Sequence, residues 1–198
     1  MTFIRTIPPA SAEGPVREMY EQTKARFGYV PNWAQAFSLR PAVLDAWTGL
    51  LRSVSSNLPV RTYELATLAA ARALRSTYCS LAHGSVLAST VFDAPAVTAI
   101  MTSPDDSPLE PREHAMMAFA EKVALHADRV TAADVEGLRS HGYRDEEIFD
   151  IAAAAAARAF FSKVLDATGA EADSVFNDLD PKLRQALTVG RPLPARPA

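Results

Sequence analysis

The stretch DEEIFDIAAAAAARAFFSKVLDATG, residues 145–169, constrains the fold of this chain more than any other segment. It begins with three acidic residues, which suit the positive end of a helix dipole, and it ends at Gly169, a residue type that commonly terminates helices. Its alanine side chains are small enough to let a neighbouring helix approach closely. The sequence therefore predicts a helix over this stretch, buried centrally in a helical protein.

The other segments repeat the helical pattern. Apolar residues recur at helical spacing, and we find neither a convincing alternating strand nor an Asn-Gly hairpin turn. Pro15 and Gly28 delimit a first helix, and residues 59–74 form a largely buried one. Thr131 and Asp134 resemble a capping box. We therefore predict an all-α fold.

The length of the chain predicts one compact domain. With 198 residues, of which 48% are apolar, the chain is long enough to bury a sizeable core. We predict a single helical domain over residues 1–180. The segment 181–198 contains proline and arginine but little apolar content, which is typical of a disordered tail or of an arm across a neighbouring subunit. The sequence leaves both interpretations of this tail open.

The balance of charged side chains limits the kinds of partner that the protein is expected to bind. There are 20 basic and 23 acidic side chains, which offer no electrostatic footprint for nucleic acid and no polybasic arm for a membrane. The first residues lack the apolar core of a secretory signal, and the longest apolar run, residues 151–161, is too short to span a bilayer. We therefore expect a cytoplasmic protein that binds neither nucleic acid nor membrane.

The single cysteine, Cys79, lies four residues before His83 in RSTYCSLAHG, residues 75–84. Four residues are about one helical turn, so the thiol and the imidazole share one face of a helix. Ser76 or Thr77 is a candidate N-cap, which places Cys79 in the first turn, where a nearby proton acceptor favours the reactive thiolate. The pair is equally consistent with a small buried thiol and a hydrogen-bonded core histidine. A single cysteine excludes a disulfide within one subunit.

Glu64 lies among leucines and alanines in the preceding predicted helix. A buried carboxylate requires water or a partner. If this helix packs antiparallel against the next one, the carboxylate approaches Cys79 and His83. The alternative is that Glu64 faces solvent beside Arg61 or Arg72.

A metal site is a further interpretation of the same residues, because Cys, His and Glu are all competent ligands. The pattern has no companion cysteine and no paired histidine motif, so we predict neither a metal site nor a cofactor. No phosphate-binding loop, dinucleotide fingerprint or G-x-S-x-G elbow occurs. Nucleotide chemistry and serine hydrolysis are therefore disfavoured.

The order of Glu64, Ser76, Cys79 and His83 resembles the carboxymuconolactone decarboxylase and alkylhydroperoxidase superfamily. In the redox branch of that superfamily, a glutamate precedes C-x-x-C-x-x-x-H by a fixed interval. The likeness to its peroxidase-related subgroup extends over about residues 5–170. It implies an alkylhydroperoxidase-like helical bundle that associates into homo-oligomers. Here Ser76 replaces the first cysteine, so the C-x-x-C is reduced to S-x-x-C.

The resemblance also implies the residues of a site. Glu64 matches the glutamate that relays a proton, Cys79 the second cysteine of the pair, and His83 the histidine that orients and deprotonates it. Ser76 and Tyr78 are expected to adjoin the site, where the Ser76 hydroxyl is able to cap the helix or to hydrogen-bond a thiolate. The aromatic residues that are candidates for lining a cavity, or for ordinary core packing, are Trp33, Phe37, Trp47 and Tyr78.

The missing cysteine leaves three functions open. We predict a thiol-dependent, antioxidant hydroperoxidase in which Cys79 reacts alone and an external thiol reduces its sulfenic acid. The first alternative is a decarboxylase-like lyase or isomerase that uses His83 and Glu64 as acid and base on a small organic acid or lactone. The second is a catalytically decayed homo-oligomer that binds a small molecule.

Overall fold

The structure is a computed structural model that describes residues 2–195 of the chain. It is 74% helical, and no strand occurs in the described residues, which confirms the all-α prediction. The helices of this part are α1 Gly14–Phe27, α2 Asn32–Ala36, α3 Pro41–Ser55, α4 Val60–Ala73, α5 Thr77–Thr90, α6 Ala94–Thr102, α7 Pro111–His126, α8 Ala132–Ser140, α9 Asp145–Thr168 and α10 Pro181–Leu187.

Helix α4 lies at the centre of the bundle. It packs against α5, α7 and α9, and every residue from Tyr63 to Ala71 is buried. Alanine recurs along this stretch, so the neighbouring helices approach its backbone closely. Helix α9 also contacts α3 and α7, which confirms that its alanine run packs centrally. The core of the protein is therefore the crossing of α4 and α9, with α5 and α7 beside it.

The ends of the helices follow the local sequence. The C-cap residues Gly28 and Gly169 have φ angles of 82° and 74°, in the left-handed region that glycine adopts without steric cost. Thr131 and Asp134 form the predicted capping box at the start of α8. These boundaries are confirmed.

The described part of the C-terminal segment, residues 181–195, packs on the bundle of its own chain. The side chain of Asp180 accepts hydrogen bonds from the backbone amides of the first turn of α10, and Pro181 occupies a first-turn position. Leu183 and Leu187 are buried, and α10 contacts α5 and α6. The sequence predicts a domain boundary before residue 181. In the structure, α10 follows this boundary directly and packs on the helical bundle. Residues 196–198 lie outside the described part.

None of the helices in residues 2–195 combines the length and the apolar character that a membrane crossing requires.

Candidate active site

Glu64 and His83 form a close pair between α4 and α5. These two helices are consecutive and pack against each other, and Glu64 Oε2 lies 2.6 Å from His83 Nδ1. Glu64 is only 9% exposed, so its carboxylate does not point into bulk solvent. Arg61 and Arg72, which the sequence offered as neighbours, pair instead with glutamates of α7. The alternative of a solvent-facing Glu64 is therefore wrong.

The hydrogen bond to Glu64 fixes the protonation of the His83 ring. A carboxylate accepts hydrogen bonds and cannot donate them, so Nδ1 carries the hydrogen and Nε2 of the neutral ring is an acceptor. Burial lowers the pKa of His83 from its usual value, and the positive charge of Arg158 lowers it further against the opposing effect of Glu64. A neutral imidazole with an acceptor nitrogen has the form of a general base.

Cys79 lies in the first turn of α5, as predicted, but its contact is with a different partner. The thiol is almost fully buried, and Arg158 Nη1 lies 3.6 Å from Cys79 Sγ. Among residues 2–195, no hydrogen bond joins Cys79 to His83. The structure thus brings Glu64 and His83 together and sets the thiol of Cys79 against a guanidinium.

Arg158 is the residue of this site that the sequence interpretation missed. It comes from α9, where it interrupts the alanine run, and it is 3% exposed. Its guanidinium lies 5.7 Å from the ring centroid of Trp47 and 5.5 Å from that of Phe161. A charged residue inside an apolar run must find a partner if the helix is buried. That requirement is the signal by which Arg158 is detectable in the sequence.

Tyr63 is a second residue that the sequence did not identify. It comes from α4, and its ring meets the His83 ring edge-on with centroids 6.3 Å apart. Burial raises the pKa of the Tyr63 hydroxyl, while the charge of Arg158 and a hydrogen bond to it act in the opposite direction. Tyr63 therefore belongs to the buried group of side chains around the thiol, which we call the thiol compartment and which comprises Tyr63, Glu64, Cys79, His83 and Arg158. The phenol of Tyr63 is neutral at neutral pH.

Ser76 does not take either of the roles expected of it. It occupies the N-cap position of α5, but its side chain makes no capping hydrogen bond. The residue is fully buried, and its hydroxyl has no hydrogen-bond partner among the described residues. It lies close enough to Asp166 of α9 to oppose the increase in the carboxyl pKa that burial causes. Position 76 thus faces Asp166, and Arg158 is the hydrogen-bond partner of Cys79.

Tyr78 adjoins Cys79 in the chain, but its contacts are with another part of the molecule. Its hydroxyl donates to Asp173 and accepts from the backbone amide of Trp33, and its ring packs edge-on against Phe176. Burial, together with the negative charge of Asp173, raises the pKa of Tyr78 well above its usual value. These contacts tie α5 to α2 and to the chain after α9, which is a structural role.

Three of the four predicted cavity aromatics form one packed cluster. Phe37 and Trp47 stack on the ring of Phe161, with centroids 5.4 and 4.2 Å away, and Trp33 lies tilted against the same ring at 6.1 Å. Such stacked and tilted contacts are those of a packed aromatic core. The cluster lies beside the guanidinium of Arg158 and forms one wall of its compartment.

The two pockets found on the described residues lie away from the Glu64–His83 pair and from Cys79. A pocket of about 460 Å³ is lined by residues 2–6 and parts of α2, and one of about 630 Å³ lies between α6 and the start of α10. Neither is lined by Glu64, Cys79 or His83. Within residues 2–195, no group of three or more His, Cys, Asp or Glu side chains is placed to hold a metal ion.

Comparison with solved structures places the fold. No family model and no curated protein matches the chain in sequence. A peroxidase-related protein from Ralstonia eutropha JMP134, described as an alkylhydroperoxidase AhpD core, superposes with a TM-score of 0.79 at 25% identity, over 88% of this chain and 94% of that one. The fold is that of alkylhydroperoxidase AhpD.

Two further structures with the same fold extend the comparison. A peroxidase-related protein from Silicibacter sp. TM1040 superposes with a TM-score of 0.74 at 23% identity, over 90% of this chain and 98% of that one. The debrominase Bmp8, carrying a cysteine-to-alanine substitution and in complex with 2,3,4-tribromopyrrole, has a TM-score of 0.72 at 15% identity, over 94% and 98%. These two structures share the fold of this chain.

Proposed function

We propose that the protein is a thiol-dependent hydroperoxidase-like oxidoreductase that uses Cys79 as its single reactive thiol. The observation that carries the proposal is the buried Glu64–His83 pair, with the two side chains 2.6 Å apart. His83 lies one helical turn after Cys79 on α5, and Glu64 comes from the neighbouring helix α4. The peroxidase-related proteins of the same fold support the assignment. The partners are a hydroperoxide and an external thiol, and we propose that the protein acts as a homo-oligomer in the cytoplasm.

The first step is proton removal from the Cys79 thiol. His83 Nε2, the ring nitrogen that Glu64 leaves without a proton, accepts it through one water molecule, since no direct hydrogen bond joins the two side chains. The thiolate then attacks the terminal oxygen of the hydroperoxide. An S–O bond forms while the O–O bond breaks, and the electron pair leaves on the alkoxide, which takes the proton back from His83. Sulfur is oxidised by two electrons, and the products are a sulfenic acid and an alcohol.

Two molecules of an external monothiol complete the cycle. The first attacks the sulfenic sulfur, releases water and leaves a mixed disulfide on Cys79. The second attacks this disulfide, which restores the Cys79 thiol and releases the oxidised form of the two monothiols. Ser76 holds the place of a resolving cysteine and cannot form a disulfide, so the two electrons must come from outside the subunit.

The proposal is tested by trapping the sulfenic acid. We expect intact-mass spectrometry after hydroperoxide and dimedone to show one adduct per chain, and none in Cys79→Ala. Peroxide consumption with a monothiol should fall to the uncatalysed rate in the same variant. Absence of the adduct in the wild-type protein would refute the peroxidase assignment.

A lyase or isomerase is the second candidate, because the Glu64–His83 pair forms without any hydrogen bond to the thiol among the described residues. In this case His83 Nε2 removes a proton from a small organic acid or lactone, and Cys79 is not required. Activity on a lactone that survives Cys79→Ala and is lost in His83→Ala favours this function. If neither substrate class reacts, the remaining proposal is a catalytically decayed homo-oligomer that binds a small molecule.

A further inference from the structure

A buried cation without a carboxylate partner lies against the thiol of Cys79. Arg158 is 3% exposed, and its Nη1 is 3.6 Å from Cys79 Sγ. Within residues 2–195 it forms no ion pair, and its Nε is buried with no hydrogen-bond partner. A buried guanidinium is costly unless an anion balances it. The thiol is the group in contact that becomes an anion by losing a proton.

The surroundings of Arg158 strengthen any charge interaction that it makes. The guanidinium lies beside the rings of Trp47 and Phe161, which are themselves stacked 4.2 Å apart. Trp47 Nε1 donates to the carbonyl of Ala157 at 3.2 Å, which holds the indole on α9. Aromatic walls exclude water, and a charge pair in such surroundings is screened less than one in solvent.

The other titratable groups of the compartment do not balance the thiolate. Tyr63 on α4 has a raised pKa, and His83 on α5 has a lowered one, so both are neutral at neutral pH. Glu64 is hydrogen-bonded to His83, and its negative charge disfavours a second anion nearby. Arg158 is therefore the group of this compartment that favours the thiolate.

We propose that Arg158 holds Cys79 as the thiolate and that its free Nε binds the oxyanion that leaves when the thiolate attacks a hydroperoxide. The first part concerns the thiol alone, and the second rests on the proposed function. In the second part, the S–O bond forms and the O–O bond breaks, and the electron pair on the departing oxygen is held by the guanidinium until that oxygen takes up a proton from water. An arginine suits both tasks because it presents several donors in a fixed plane.

The first part is tested by titrating the thiolate directly. Because the chain has one cysteine, the ultraviolet thiolate absorbance of the wild type minus that of Cys79→Ala belongs to Cys79. We expect its midpoint below the free-cysteine value of about 8.5. In Arg158→Met we expect a midpoint at least one pH unit higher, which corresponds to an acid dissociation constant of the thiol about tenfold smaller. A wild-type midpoint at or above the free value, or equal midpoints in the two proteins, overturns the proposal.

Two further variants separate the local charge from other effects. Arg158→Lys keeps the charge, so its midpoint should stay closer to that of the wild type than to that of Arg158→Met. Lys163→Met removes an exposed positive charge from the same helix, and its midpoint should equal that of the wild type. An equal shift in Lys163→Met and Arg158→Met would mean that net charge is responsible and would overturn the proposal. Circular dichroism verifies folding, and the wild-type midpoint remains decisive if Arg158→Met does not fold.

The second part is tested by changing the leaving group. At a pH where Cys79 is fully ionised in every variant, sulfenic acid formation is followed with tert-butyl hydroperoxide and with peracetic acid. An alkoxide is a poorer leaving group than a carboxylate, so Arg158→Met should lose about 10²-fold with the hydroperoxide and much less with the peracid. Equal losses overturn the leaving-group role. A wild type that reacts with neither oxidant refutes the peroxidase function and this role together, whereas the titration judges the thiolate independently.

Discussion

The first turns of α5 are bordered by two regions with different chemistry. On one side, Cys79 contacts the buried guanidinium of Arg158, and His83 contacts Glu64. On the other side, the C-terminal segment after α10 covers the start of the helix, and the backbone amide of Gly190 donates to Thr77 Oγ1 at 2.9 Å. The first side holds buried charged side chains, and the second holds packing and backbone contacts together with charged side chains that are only partly buried.

This difference supports the proposed site on the side of Cys79 and Arg158. Buried charged groups reduce stability unless they are well paired, and their concentration in one compartment is typical of a functional site. Position 76, which holds a cysteine in the redox branch, lies fully buried at Asp166 of α9, near the C-terminal segment. The serine at this position therefore belongs to the packed side of α5, and a single-thiol mechanism depends on the charged side alone.

The largest effect expected on the charged side is that of Glu64→Gln. The amide cannot balance a proton on His83, so we expect turnover to fall by about 10²- to 10⁴-fold, the usual contribution of general acid–base catalysis. The change is measured as peroxide consumption with a saturating monothiol.

Glu113→Gln is the matched control for this prediction. Glu113 is also a buried glutamate, but it belongs to α7 and pairs with Arg61 instead of His83. Its substitution should lower the melting temperature and leave turnover per folded molecule unchanged. Similar losses of turnover in the two variants would mean that Glu64 only supports the fold.

The charged side was partly predictable from the sequence. The four-residue spacing of Cys79 and His83, and the position of Glu64 one helix earlier, are local features that helical periodicity preserves. Arg158 follows Cys79 by 79 positions, and its contact depends on how α9 crosses α4 and α5. No local pattern encodes such a crossing, so the sequence did not identify Arg158 as part of the site.

The packed side was less predictable, although one signal was present. Asp180 followed by Pro181 is a helix start, and Leu183 and Leu187 are spaced by one helical turn. These four residues predict a short amphipathic helix in a segment that otherwise resembles a disordered tail. The contact of this segment with α5 is tertiary, and the sequence alone does not contain it.

A substitution at Gly190 should break the packed side. A Cβ atom at this position would lie 1.9 Å from the carbonyl oxygen of Arg75, a residue with a positive φ of 56°. We expect Gly190→Ala to lower the free energy of unfolding by about 1–3 kcal/mol, as overpacking commonly does, with turnover per folded molecule retained. Urea unfolding measures the first quantity.

Gly137→Ala is the comparison for that experiment. Gly137 lies within α8, and a Cβ atom there meets no atom within 4 Å. Alanine in a helix is favoured over glycine by about 0.5–1 kcal/mol, so this variant should be more stable than the wild type. Equal effects of the two substitutions would show that the C-terminal segment does not pack on α5 in solution.

The pH dependence of stability should separate the two sides with a smaller effect. Burial lowers the pKa of His83 in the folded protein, so below about pH 6.5 the unfolded chain binds a proton that the folded one resists. The free energy of unfolding should therefore decrease as the pH falls from 7 through this range. In His83→Gln this part of the dependence should disappear. Urea unfolding at several pH values between 7 and 5 measures this dependence. If the free energy of unfolding changed with pH equally in the wild type and in His83→Gln, the lowered pKa of His83 would be contradicted.

The smallest effect is expected at Ser76, where the comparison is sharpest. Its hydroxyl makes no capping hydrogen bond and is buried without a hydrogen-bond partner among the described residues, so Ser76→Ala removes a buried polar group without breaking a hydrogen bond. We expect a change in unfolding free energy within about 1 kcal/mol, together with an unchanged thiolate midpoint and unchanged turnover. A tenfold loss of turnover in this variant would place the Ser76 hydroxyl in the chemistry of Cys79, and the division of α5 into a charged and a packed side would then be wrong.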